Sequence, residues 1–194
     1  VIAALYVQRN GVYYGLDGVD PWDEKRDARL YNGPWPVVAH PPCAAWCRLA
    51  GLREHKYGYK RGEDGGAFAA ALAAVRKFGG ILEHPAHSDA WKAYGLLRPV
   101  RGKWSADDDG AVVTEVSQSA YGHRARKRTW LYAVNATPAD LDWSEPPTTA
   151  VVSGSHNHYN KPIGNGARVW SREASRTPTA FRDLLISIAR SVQR

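Results

Sequence analysis

The sequence predicts an α/β protein folded as a single domain around a central, mostly parallel sheet. Three observations carry that expectation. A compact apolar run, "PVVAH" at 36–40, is followed by a long polar stretch, then an alanine-rich amphipathic segment, and then at once a second run, "ILEHP" at 81–85. Strand, loop, helix and strand in that order form a crossover unit, which sets the two strands side by side and parallel. At 194 residues the chain is long enough for one hydrophobic core and short for two, and no internal repeat divides it.

The remaining elements follow from local pattern. Residues 3–7 (AALYV) read as a strand, and 12–14 as a short second strand that pairs with it as a hairpin across the turn signal "RNG". Residues 16–35 are polar, interrupted by glycines and prolines, and predict one short helical turn around 23–30. After the strand at 37–40, residues 41–66 form a long loop in which Arg48, Arg53, His55, Lys56, Lys60 and Arg61 are interleaved with Trp46, Tyr57 and Tyr59. Long loops inside a compact domain commonly carry function. Residues 67–78 (AFAAALAAVRKF) are the clearest helix, with Phe68, Leu72, Val75 and Phe78 on one face and Gly79-Gly80 closing it. Residues 111–117 and 129–134 read as two more strands flanking the basic turn "YGHRARKR". Residues 178–190 read as a helix opened by Pro178, after a loop-rich insertion over 135–170.

Lys and Arg together number 26 against 19 Asp and Glu, a net charge of +7 that favours a polyanionic partner such as nucleic acid. No apolar run reaches about 18 residues, so no membrane span is expected. The opening "VIAALYVQRN" is too short to read as a signal peptide. Cys43 and Cys47 are too few and too close to make a disulfide framework, and they suit a reducing, cytoplasmic setting.

Parallel neighbours end at the same edge of their sheet, and open α/β sheets bind ligands at that edge. Cys43, just past the first strand of the crossover, and Glu83, at the end of the second, are therefore expected side by side. A buried carboxylate is costly without a partner, which makes Glu83 a candidate functional group rather than core filler. Cys43 admits three readings: nucleophile, metal ligand or buried filler. His40, Cys43, Cys47 and His55 give the spacing H-x2-C-x3-C-x7-H, which matches no common zinc pattern, so no metal is expected and the nucleophile reading is preferred.

Three segments, in chain order "HPPCAAWC", "ILEHP" and "SQSAYGHRARKRTWLY", resemble the cytosine-5 DNA methyltransferases, whose Pro-Cys loop, Glu-Asn-Pro/Val segment and Gln-x-Arg-x-Arg segment follow the same strands. The matching residues are Pro42 with Cys43, then Glu83 and Pro85 with His84 where asparagine is usual, then His123, Arg124 and Arg126 in place of the Gln-x-Arg run. "GVDPW" at 18–22 is similar to the acidic segment that binds the cofactor ribose, and "IGNG" at 163–166 to the Gly-Asn before the last helix. The resemblance covers residues 16–133 and implies a Rossmann-like methyltransferase-type domain reduced at its N-terminus. It implies S-adenosylmethionine as cofactor, with Asp20 and Trp22 toward it, yet residues 1–15 lack the family's Phe-x-Gly-x-Gly turn.

The same resemblance implies the chemistry. A thiolate from Cys43 adds to carbon 6 of a flipped pyrimidine while Glu83 hydrogen-bonds ring N3, which turns carbon 5 into a nucleophile. Arg124 or Arg126 stabilises the ring oxygen of the adduct. Pro42, His84, Pro85 and His123 contact the base, and Arg48, Arg53, Lys56, Lys60 and Arg61 contact DNA phosphates. Carbon-5 methyl or one-carbon transfer is the leading expectation. Its alternatives are modification without S-adenosylmethionine, such as hydroxymethylation or deamination, and an inactive DNA-binding relative.

Overall fold

The computed structural model describes residues 1–47, 50, 60–152, 167–169 and 171–193. Among these, the main sheet is built from β1 (Ile2–Leu5), β2 (Val19–Trp22), β3 (Val37–Ala39), β4 (Gly80–Pro85), β5 (Ser105–Ala106), β6 (Val112–Ser117) and β7 (Arg128–Val134). Their spatial order is β2-β1-β3-β4-β7-β6-β5. β8 (Ala150–Val152) and β9 (Ala167–Val169) pair parallel to each other in a second small sheet. The helices are α1 (Ala67–Phe78), α2 (Asp89–Ala93), α3 (Ser171–Ala174) and α4 (Thr179–Arg190).

The expected crossover is present: β3 and β4 are parallel, with Ala39 opposite Leu82. β1 also lies parallel to β3 and to β2, whereas β7 is antiparallel to both β4 and β6. The sheet is therefore mixed rather than mostly parallel, because the β6–β7 hairpin inserts its second strand beside β4. Strand order reverses between β1 and β3, since β1 leads outward to β2 on one side and onward to β3 on the other.

Alternation along the strands sorts the two cores. Leu5, Val37, Ala39 and Leu82 face α1, where they pack with Phe68, Leu72 and Val75. Ala4, Val38, Ile81 and Leu131 face α4 and its Phe181, Leu185 and Ile188. Phe68 and Phe181 are both fully buried, and truncating either to alanine is expected to cost about 3–5 kcal/mol. Gly79 closes α1 with φ 75°. A Cβ on Gly80 would lie 2.0 Å from the Val37 carbonyl oxygen, so only glycine lets β4 start this close to β3.

Two expectations near the N-terminus are corrected. Residues 12–14 form no hairpin strand; Tyr13 is buried beneath α4 as part of its core, and the strand beside β1 is instead Val19–Trp22. β1 ends at Leu5 because Tyr6 takes a positive φ of 60°. The short helical turn expected around 23–30 is present, as a single 3-10 turn, Ala28–Leu30, capped by the Asp27 side chain.

Candidate active site at the ends of β3 and β4

Glu83 is the fourth residue of β4, one past the last that pairs with β3, and shares the α4 face with Ile81. It is 7% exposed, yet both carboxylate oxygens have partners. Oε2 lies 2.8 Å from Nδ1 of His40, the residue immediately after β3. The other ring nitrogen of His40, Nε2, lies 2.7 Å from the Tyr13 hydroxyl. Oε1 accepts from Gln118 Nε2 at 3.1 Å, and the same amide donates to Thr129 Oγ1 at 3.0 Å. The alternation of β7 explains the last contact, because Thr129 and Leu131 project to the α4 face while Trp130 and Tyr132 project to the α1 face.

Burial pushes the Glu83 carboxyl up, but the His40 hydrogen bond and the positive charge of Lys127 outweigh it and hold the group near about 2. Glu83 is thus ionised at neutral pH. An ionised carboxylate only accepts, so His40 Nδ1 carries the proton between them.

Cys43 follows Pro42 in a tight turn whose carbonyl, that of Cys43 itself, accepts from the amides of Trp46 and Cys47 at 3.0 Å each. Its thiol is half-buried and free. Burial raises its pKa, the neighbouring Cys47 and Glu83 raise it further, and Lys127 opposes them. Cys43, Glu83 and Lys127 are therefore within one another's electrostatic reach at the ends of adjacent parallel strands. The thiol is the resting form, so it loses its proton during reaction rather than before it.

The structure separates the other expected site residues into those at this edge and those away from it. Pro42 and Pro85 flank it, at the turn after β3 and the end of β4. His84 does not join it: one residue past Glu83, its side chain turns to the α1 face, fully buried edge-on to Phe68 and stacked on Trp91. Neither His84 ring nitrogen makes a well-formed hydrogen bond among the described residues, though the Pro42 backbone lies close. Burial lowers the His84 pKa to about 4, so the ring is a neutral core residue rather than a base contact. His123 is also buried, with Nδ1 accepting from the Ala125 amide, and burial lowers its pKa.

Arg124 pairs with Glu173 at 2.8 Å, and Arg126 reaches toward Glu145 at 3.7 Å, a carboxylate it shares with Arg101 and Arg128. Arg128 also pairs with the buried Glu115, on the α1 face. The cation that acts on Glu83 and Cys43 is instead Lys127, which continues the alternation of Thr129 and Leu131. Lys60 and Arg61 are exposed and pair with Glu63 and Asp89. Arg48, Arg53, His55, Lys56 and the "IGNG" segment lie outside the described residues.

Four participants were not read from the sequence as part of this site: Tyr13, His40 in this role, Gln118 and Lys127. Gln118 carried a signal, being an uncharged polar residue directly after an apolar strand and before a glycine-closed turn. Lys127 was one of several cations in one run, and only the strand register distinguishes it. Tyr13 carried none, because its place is set by the packing of α4.

The cofactor implied by the resemblance meets residues that do not fit it. The Asp20 carboxylate is held by the Trp22 indole at 2.8 Å and by Arg26, whose guanidinium lies 4.0 Å above the Trp22 ring. Asp23 accepts from the Tyr14 hydroxyl at 2.6 Å and from the Lys25 amide. Tyr6 stands after β1 where the glycine turn belongs, and its ring packs on the α1-side core. The carboxylates and the aromatic surface that S-adenosylmethionine needs are thus engaged with one another. Among the described residues there is no group of three or more His, Cys, Asp and Glu side chains that could hold a metal ion, and no helix is long and apolar enough to cross a membrane. A scan against models of protein families found none that matches the chain, and searches of curated proteins and of solved structures likewise found no match.

Proposed function

We propose that this chain is a DNA base-modifying enzyme that activates a flipped pyrimidine, cytosine above all, by adding Cys43 to ring carbon 6 while Glu83 attends N3. The observation that carries this reading is the placement of a half-buried thiol and a buried, ionised carboxylate at the ends of two adjacent parallel strands, with one cation acting on both. The net charge of +7 supports a polyanionic substrate.

The addition balances. The S–H bond breaks and its proton leaves to solvent as the S–C6 bond forms, the C5=C6 electron pair moves into the ring, and N3 receives one proton through Glu83. A neutral thiol and a neutral base give a neutral adduct with an enamine at carbon 5. That carbon takes an electrophilic one-carbon unit where a donor supplies one, and in water alone it takes a proton. Reversal of the latter step exchanges the hydrogen on carbon 5 with solvent. The closed Asp20, Trp22 and Arg26 cluster favours a donor other than S-adenosylmethionine.

The test therefore needs no donor. A cytosine-containing single-stranded oligonucleotide incubated with the protein in deuterated water is expected to gain deuterium at carbon 5, read by mass spectrometry of its nucleosides, and Cys43→Ala is expected to abolish the gain. A pure DNA-binding protein would bind the oligonucleotide and exchange nothing.

A further inference from the structure

We propose that Tyr13 and His40 form a proton-supplying pair behind Glu83, with His40 in its imidazolium form holding the proton that Glu83 passes to N3 of the bound base. The inference rests on the reading above and deepens it. An ionised carboxylate has no proton to give, and a ring nitrogen that must be protonated during addition cannot take one from it directly. The nearest proton is on His40 Nδ1, 2.8 Å from Glu83 Oε2. Tyr13 is 2% exposed and its hydroxyl lies 2.7 Å from the far ring nitrogen, so the imidazole is gripped at both ends within a buried line of three groups.

The transfer conserves charge at each stage. In the working state Nε2–H donates to the Tyr13 oxygen and Nδ1–H to Glu83. The Nδ1–H bond breaks as the Oε2–H bond forms, which converts an imidazolium–carboxylate pair into a neutral imidazole and a neutral carboxylic acid. The carboxylic acid then gives its proton to N3 and returns to the carboxylate. Tyr13 keeps the remaining proton on Nε2, so the one facing Glu83 is the one that moves. Among the described residues, each oxygen of Glu83 makes one hydrogen bond, to His40 or to Gln118, which leaves it a second lone pair for the base. His40 and Tyr13 act through Glu83 and are positioning residues in this scheme.

Among the described residues, the charged and titratable groups that act on the line are Cys43 from the turn after β3, Lys127 from the β6–β7 hairpin, His84 from the opposite face of β4, and Arg182 and Asp183 of α4, which act on Tyr13. Variants of Arg182 and Asp183 serve as controls, because a change they share with Tyr13→Phe would trace to general electrostatics.

The experiment measures carbon-5 deuterium exchange against pH for the wild type, Tyr13→Phe and His40→Asn, together with oligonucleotide binding. Asparagine keeps a donor toward Glu83 but has no proton to release. His40→Asn is expected to bind DNA as the wild type does, to exchange about 100-fold more slowly, and to lose the limb of the pH profile that the wild type shows. Tyr13→Phe is expected to exchange about 10-fold more slowly and to bind the oligonucleotide as the wild type does. Exchange that depends on Cys43 but is unchanged in His40→Asn would overturn the proton-supplying pair and leave the enzyme reading standing. Wild-type protein without exchange would overturn that reading, and exchange as fast in Tyr13→Phe as in the wild type across the pH range would by itself overturn the pair.

Discussion

Gln118 and Glu83 are joined by a hydrogen bond of 3.1 Å although β6, which Gln118 follows, and β4, which carries Glu83, are not neighbours in the sheet. The amide crosses over β7 and is held there by Thr129 on the strand between. Gln118→Leu keeps the volume and removes both contacts, leaving a buried carboxylate oxygen short of a donor. Stability is expected to fall by about 1–3 kcal/mol, read as a lower urea midpoint at unchanged slope. Gln118→Glu sets a second carboxylate against the first, so its deficit is expected to be larger at pH 7 and to shrink at pH 4, where one of the two takes up a proton.

Stability against pH is expected to fall in two successive windows. His84 is neutral in the folded chain, with its pKa lowered by burial to about 4, whereas the unfolded side chain titrates near 6.5. The unfolded state therefore binds the proton first, and stability present above pH 6.5 is lost as pH falls toward 4, by up to about 3 kcal/mol. Glu83 has its folded pKa depressed from 4.5 to about 2, so its contribution is present above 4.5 and is lost as pH falls from there toward 2. His84→Phe, which keeps the ring packed between Phe68 and Trp91, is expected to shrink the first window to the part that buried His123 contributes and to leave the second, as followed by thermal melts from pH 8 to 3.

The thiol of Cys43 is expected to react slowly with iodoacetamide at pH 7.5 and faster as pH rises, because burial, Cys47 and Glu83 all favour its protonated form. Lys127→Ala removes the charge that opposes them and is expected to slow alkylation of Cys43 further at a given pH. Mass analysis after proteolysis assigns the label to Cys43 or Cys47. Alkylation of Cys43 that is unaffected by Lys127→Ala would count against Lys127 as the cation of the site.

S-adenosylmethionine is expected to give no calorimetric binding tighter than about 1 μM, equivalent to about −8 kcal/mol, because Asp20, Trp22 and Arg26 satisfy one another. Tight binding would mean that this cluster opens for the cofactor, and methyl transfer from it would then be the preferred reaction.

Much of this arrangement was legible in local pattern. The alanine-rich helix is found at Ala67–Phe78, as read, because its apolar spacing and its Gly-Gly stop are both local signals. The parallel neighbours β3 and β4, which set Cys43 just past one strand and Glu83 toward the end of the other, follow from chain order and the handedness of a crossover. What escaped depended on register across strands distant in sequence. One residue of difference decides whether a hairpin cation pairs with Glu115, as Arg128 does, or lies within electrostatic reach of Glu83, as Lys127 does, and a run of four basic residues within five positions does not say which. Val19–Trp22 was missed as a strand because Pro21 and Asp20 weaken its pattern, and both are tolerated since β2 lies at the sheet edge. Tyr13 reads as half of a hairpin when its neighbours alone are considered, and only the packing of α4 turns it toward His40.

The position of β7 bears on how the chain comes to be folded. It is the latest of the main-sheet strands in sequence, yet it fills the gap between two earlier ones, β4 and β6. As the chain emerges from a ribosome, the open side of β4 has no ladder partner until Arg128–Val134 has been made, and Gln118 has no Thr129 to bridge through. A nascent chain can complete the β1–β3–β4 crossover and still lack the groups that brace Glu83. The assembled carboxylate is thus a late product of folding, and amide exchange along β4 should report the arrival of β7 as one abrupt gain in protection.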